Sequence, residues 1–100
     1  MYKYAPYGAI YDIGGFLSIV THIQIKMARS ALGWSISKLS NECSVSSRTL
    51  NRIETPEGFL VATLGNLKLI RETLEAAGIE FIGTAEEGPG VRLWNSENIR

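Results

Sequence analysis

The chain has a single cysteine, Cys43, so no disulfide can close within it and no cysteine cluster is available for zinc. With one histidine, His22, and no carboxylates gathered around it, a metal centre is not expected. No apolar run approaches the roughly 18–20 residues that a membrane-spanning helix needs. Lys3 and the fairly apolar Gly8–Val20 stretch faintly resemble a secretory leader. Asp12, Gly14 and Gly15 interrupt that stretch, however, and no small-x-small cleavage site follows. The expectation is a cytoplasmic protein in a reducing compartment, without a membrane association. Low-complexity tracts and internal repeats are also missing, and 100 residues suffice for one domain.

Net charge is absent as well: the chain totals zero. The distribution is uneven all the same. Between His22 and Thr55 stand five basic residues (Lys26, Arg29, Lys38, Arg48, Arg52) against two acidic ones (Glu42, Glu54), a net of +3. From Pro56 onward, four basic residues face seven acidic ones, a net of −3. A basic middle third is the footprint expected where one face meets phosphates.

Several helix signals are present. Thr21 with Gln24 three residues on fits a capping box, Ile25, Ala28 and Leu32 form a one-sided stripe, and Gly33 suits a left-handed helix end. Ser35 is a good N-cap for a second helix, Ile36 to about Cys43, whose inner face is Ile36, Leu39 and Cys43. A short turn at Ser44-Val45 follows. Ser46 then caps a third helix, Ser47 to about Glu54, with Leu50 and Ile53 inward and Pro56 and Gly58 closing it. Thr63 caps a fourth, on which Leu64, Leu67, Ile70, Leu74 and Ala77 repeat at helical spacing until Gly78. Beyond it, Ile79–Ile82 and Val91–Trp94 alternate around a turn at Glu87-Gly88-Pro89-Gly90, the pattern of a β-hairpin.

The predicted organisation is therefore an N-terminal arm over 1–20, a helical domain over 21–78 and a hairpin tail over 79–95. The arm, with four tyrosines and three glycines, reads as a loose segment, a short strand or a docked loop. An isolated hairpin is marginal in water, so the tail is expected to dock on the helices or to pair with a second copy.

Two short helices joined by a tight turn carry the functional reading. The second of them is expected to present Ser46, Ser47, Arg48, Asn51 and Arg52 outward, with positions 48 and 52 one turn apart. An α-helix fits the major groove of B-DNA, and the forks of arginine and asparagine match guanine and adenine edges. Lys38 and Lys26 are candidates for phosphate contact.

The segment Ala31–Glu54 resembles the phage-repressor/Cro type of helix-turn-helix, the Xre family of bacterial transcriptional regulators. Leu32-Gly33-Trp34-Ser35, Leu39, Val45-Ser46, Arg48-Thr49-Leu50 and Arg52-Ile53-Glu54 carry the likeness. It extends through Thr63-Leu64, Leu74–Phe81 and Gly88–Leu93, so that it covers roughly residues 22–94. The resemblance implies a mainly α, lambda-repressor-like bundle of four or five helices, here with a C-terminal β-hairpin. It also implies a recognition helix at 46–54 and phosphate contacts from the start of the second helix, where Ser35 and Lys38 stand. Base reading falls to Ser47, Arg48 and Arg52, and Asn51 is placed to meet base or backbone. A structural ion pair between Arg29 and Glu54 is implied too. Two positions depart from the pattern. Ile36 stands where a glutamine is usual, and one contact fewer is expected. Ser44 stands where the turn usually has glycine, at some strain cost.

The partners expected are double-stranded DNA and a second copy of the chain, with no cofactor and no metal. An alternative is an antitoxin-type module that holds a toxin through the fourth helix and tail and autoregulates its operon. Catalysis is not expected. Cys43 falls on an inward position, Ser35, Ser46 and Ser47 have no His–Asp pair to activate them, and Gly88-Pro89-Gly90 is too short for a phosphate loop.

Overall fold

Every helix among the described residues starts at a hydroxyl. The computed structural model describes residues 20–94, so the arm expected over 1–20 lies, except for Val20, outside them, as does Asn95 at the end of the tail. Thr21, Ser35, Ser46, Thr55 and Thr63 each cap a helix, and each side-chain oxygen accepts the backbone N–H three residues on, at Gln24, Lys38, Thr49, Gly58 and Asn66. Each bond satisfies one of the amides a helix start leaves orphaned, at about 1 kcal/mol apiece. The helices are α1 (His22–Leu32), α2 (Ile36–Cys43), α3 (Ser47–Ile53), α4 (Pro56–Leu60) and α5 (Leu64–Ala76). Two antiparallel strands follow, β1 (Ile79–Ile82) and β2 (Gly90–Leu93), so the fold is mainly helical with a small hairpin.

One helix was not foreseen. Pro56 and Gly58, expected to close α3, instead lie inside α4, with Pro56 in its first turn. Proline is at home there because its missing N–H is one that the first turn leaves free. Gly58 is needed for close approach rather than for chain termination. A Cβ on it would overlap the carbonyl oxygen of Arg52 at the end of α3.

The core is built from one stripe per element. Ile25, Ala28, Leu39, Cys43, Val45, Leu50, Ile53, Ile70, Leu74 and Ile79 are all buried and form one cluster with Val20. Leu32, Trp34, Ile36, Phe59 and Leu67 pack against it while partly exposed. Leu64, expected on the inner stripe of α5, is instead 56% exposed. It is the first residue of that helix, ahead of the turn that Leu67 and Ile70 hold against the core.

Chain direction between α1 and α2, and between α2 and α3, is reversed by left-handed residues. Gly33 ends α1 with φ 70°, and Ser44 ends α2 with φ 66°. The serine therefore adopts the turn conformation usual for glycine.

The hairpin pairs Ile79 with Leu93, Glu80 with Arg92, Phe81 with Val91 and Ile82 with Gly90. Gly90 thus belongs to a strand, and the connection runs from Gly83 to Pro89 rather than through a turn ending at Gly90. The tail docks on its own helices, with β2 along α1 and β1 beside α5. Gln24, fully buried, fixes it there. Its Nε2 donates to the carbonyl oxygens of both Ile82 and Gly90 at 2.9 Å, while its Oε1 accepts the Thr21 amide. The capping-box side chain of α1 is in this way also the clamp on the loop end of the hairpin.

Candidate nucleic-acid interface

α3 is short, and its position is set from both ends. At its start Ser46 Oγ accepts the Thr49 amide at 3.1 Å and donates to Thr49 Oγ1 at 3.0 Å. At its end Glu54 is held by Arg29 of α1. Arg29 Nε and Nη2 meet the two carboxylate oxygens at 2.8 and 3.0 Å, and Nη1 donates to the Trp34 carbonyl. The Glu54 side chain is only 8% exposed, so this forked pair is screened little by solvent. The hydrogen bond to Glu54 also raises the already high pKa of Arg29, which keeps the guanidinium charged. Leu50 and Ile53 bury the inner face of α3, and Thr55 Oγ1 donates to the Arg52 carbonyl.

With Leu50 and Ile53 turned inward, the opposite face is fixed. Arg48, Asn51 and Arg52 are exposed on it, and Ser47 is half-buried beside them. Arg48 and Arg52 are i and i+4 on one helix, about 6 Å apart at Cβ. Among the described residues, the cations Arg29, Lys38, Lys68, Arg71 and Arg92 each have a carboxylate partner, whereas Lys26, Arg48 and Arg52 have none. The side chain of Asn51 likewise makes no hydrogen bond to the described residues. Two guanidinium groups and a carboxamide thus stand side by side with all their donors open to an incoming acceptor.

The other candidates are differently placed. Ser35 and Ser46 are exposed, but their hydroxyls are engaged in capping α2 and α3. Lys38 Nζ lies 2.8 Å from Glu42 and 5.6 Å from the centre of the Trp34 ring. An exposed i,i+4 pair contributes only about 0.3–0.5 kcal/mol, so a phosphate could displace Glu42 readily. The i,i+4 spacing of Lys38 and Glu42 is legible in the sequence. Gly58 reads in the sequence as helix punctuation, and Thr55 carries no signal there, although the two fix the carbonyl end of α3 and hence the base of Arg52.

Beside α3 runs a cleft of about 520 Å³ whose lining includes Thr49, Arg52, Glu57, Val61, Thr63 and Asn66. It joins the arginine face to the α4–α5 connection. A second cleft of similar volume lies between α1 and the α3–α4 corner, with Lys26 at its edge. The Nδ1 atom of His22 is buried there without a hydrogen-bond partner. Cys43 is buried in the core, and burial pushes its thiol pKa up, away from nucleophile chemistry. No cluster of three or more metal-ligating side chains occurs among the described residues, and none of their helices is long and apolar enough to cross a membrane.

Comparison of the chain with protein-family models, with curated proteins and with solved structures gives no match.

Proposed function

We propose that the chain is a sequence-specific DNA-binding transcriptional regulator of the phage-repressor/Cro, Xre-type kind, with a lambda-repressor-like fold, that acts in the bacterial cytoplasm. The observation that carries this reading is the row Arg48, Asn51 and Arg52. These residues are exposed on one face of α3 and unpaired among the described residues, while most other cations there are neutralised by a neighbour. α2, the Ser44–Ser46 turn and α3 form the helix-turn-helix, and α3 enters the major groove. Arg48 and Arg52 read base edges, Asn51 meets a base or the backbone, and Ser47 approaches the groove wall. Lys38, released from Glu42, and the Ser35 end of α2 hold phosphates. Each arginine fork on guanine contributes roughly 1–3 kcal/mol of discrimination.

The test is selection of bound duplexes from a random DNA pool with the wild-type chain, Arg48→Ala and Arg52→Ala. The wild type enriches a defined motif, and each variant relaxes it at particular positions. An even fall in affinity with a smaller salt slope would mean phosphate contact only, and no enrichment at all would remove the reading.

A further inference from the structure

We infer that residues 1–19 of this chain seat themselves in the cleft between α1 and the α3–α4 corner; the inference stands apart from the DNA-binding reading. The cleft, of about 520 Å³, is lined by His22, Ile23, Lys26 and Met27 of α1 and by Glu54 and Pro56 of the corner. Ile23, Lys26, Met27 and Ser30 fall at i, i+3, i+4 and i+7, so they share one face of the helix. α1 already buries Gln24, Ile25 and Ala28 on its inner side. This second face carries two large aliphatic side chains of its own, Ile23 at 45% and Met27 at 37% exposed. His22 leans on Phe59 of α4 with ring centres 6.1 Å apart, which makes the cleft aromatic at the start of α1. Lys26, between Ile23 and Met27, has no carboxylate partner among the described residues. The cleft therefore suits an occupant that is aromatic and aliphatic and carries one acid.

The chain ahead of Val20 has that composition and starts from the right place. Val20 is buried in the core and Thr21 caps α1, so the preceding segment leaves the fold at the edge of the cleft, beside His22 and Ile23. All four tyrosines of the chain stand between positions 2 and 11, and Ile13, Phe16, Leu17 and Ile19 follow. Segments that stay unfolded are poor in aromatic residues, and this one is rich in them. Its charge fits as well. Asp12 is the only acidic residue before Glu42, and Lys26 is open to it because Arg29 already holds Glu54. Reach is ample. The face from Ile23 to Ser30 is about 10 Å long, whereas residues 13–19 extend to about 23 Å, and Gly14-Gly15 permit the turn that brings Asp12 back toward Lys26. Attachment decides against an occupant in trans. A segment tethered beside its site meets it at an effective concentration of about millimolar, which a free competitor must exceed. Glu54 and Pro56 line the same cleft, so the seated segment also braces the corner where α3 passes into α4.

The experiment uses the full chain with isotope-labelled methionine methyl groups, together with Ile23→Asn and Asp12→Asn, each checked for native circular dichroism. Because every tyrosine lies ahead of Val20, a nuclear Overhauser contact from the Met27 methyl to any tyrosine ring reports the seated segment directly. The wild type is expected to show such contacts, with the methyl signal assigned by its loss in Met27→Leu. A carbodiimide, which condenses a touching carboxylate and amine to an amide with loss of water, is expected to join Asp12 to Lys26 within one chain. Ile23→Asn sets an amide against the apolar contact, and both signals should fall at least about 5-fold. Asp12→Asn removes the cross-link and keeps the ring contacts. A Met27 methyl without tyrosine contacts overturns the inference and leaves the cleft to another molecule. A cross-link that joins labelled to unlabelled chains in a mixture of the two also overturns it, because the segment then seats on a second copy. So does a yield indifferent to Ile23→Asn, since a loose tether meets Lys26 by collision alone. None of these readouts involves DNA, so they decide the cleft whether or not a DNA motif is enriched.

Discussion

Arg29 of α1 grips Glu54, the residue that ends α3, through two parallel hydrogen bonds of 2.8 and 3.0 Å, and spends its remaining nitrogen on the Trp34 carbonyl. One guanidinium thereby locks the α1–α2 corner and the end of α3 to each other. Charge-assisted bonds of this kind contribute about 1.5–3 kcal/mol each way they are tested. Arg29→Met and Glu54→Gln are both expected to lower unfolding stability by roughly that amount, and the double variant by less than the sum of the two. Urea denaturation of the three variants provides the cycle. Strict additivity would show that the pair carries no coupling.

Gln24 links the start of α1 to the hairpin, and it uses both amide hydrogens to do so. Gln24→Leu removes the bonds to the Ile82 and Gly90 carbonyls and to the Thr21 amide, at an expected cost of about 2–3 kcal/mol. Hydrogen exchange should accelerate first in 79–93. Gln24→Glu is the sharper variant. It keeps the cap acceptor but turns a carboxylate toward two carbonyl oxygens, which raises its folded pKa above the ordinary value of about 4.3. Its folded state is then favoured below that value and loses stability as pH rises through the raised one. A wild-type-like pH profile for Gln24→Glu would show that the clamp is not made.

Ser44 holds φ 66° without glycine's freedom. A left-handed non-glycine residue costs about 1–2 kcal/mol. Part of that is offset by the greater unfolded-state entropy of glycine, so Ser44→Gly should stabilise the chain by roughly 0.5–1 kcal/mol. Ser44→Val, β-branched at the same angle, should destabilise it by more. Thermal melts of both variants check the sign.

Cys43 is expected to behave as a core atom. Burial raises its folded pKa, so the unfolded chain gives up the thiol proton first. The stability this supplies is complete below the ordinary thiol range and is lost as pH climbs through the raised value. Cys43→Ala should remove that alkaline dependence at a cost of about 1–2 kcal/mol. Labelling of the wild-type thiol should proceed only as fast as the chain opens. Rapid labelling under native conditions would place the sulfur at the surface.

What the sequence disclosed was local. Thr21, Ser35, Ser46 and Thr63 were each legible as caps because a hydroxyl beside an apolar period has one simple use, and the stripes they introduce supply most of the observed core. The exposed row of Arg48, Asn51 and Arg52 followed from the same period, since burying Leu50 and Ile53 leaves it nowhere else to face. What escaped depends on neighbours distant in the chain. Gln24 reads as a capping residue, and nothing near it announces strands 58 and 66 positions away. Pro56 and Gly58 are stop signals in one frame and first-turn and close-contact residues in another. Only the approach of α4 to the Arg52 carbonyl decides between them. Leu64 fits the inner period of α5, yet the helix meets the core a turn later.

That approach of α4 gives the candidate site its most direct structural test. Thr55 Oγ1 donates to the Arg52 carbonyl and accepts the Gly58 amide, so three residues bind the end of α3 to the start of α4. Gly58→Ala cannot be accommodated by a side-chain shift, because the overlap is with backbone. α4 must move away, and the Arg52 end of α3 with it. The expected result is a loss of about 1–3 kcal/mol in stability, in the range of an overpacked core. On the proposed DNA-binding function, binding to a selected DNA element should also fall, chiefly at the bases assigned to Arg52. Thr55→Ser keeps the hydroxyl and should leave both nearly intact, whereas Thr55→Val removes it and should reproduce part of the Gly58→Ala loss. Should Gly58→Ala bind DNA with wild-type affinity and an unchanged motif, the position of Arg52 would not depend on α4, and its proposed role in reading bases would have to rest on α3 alone.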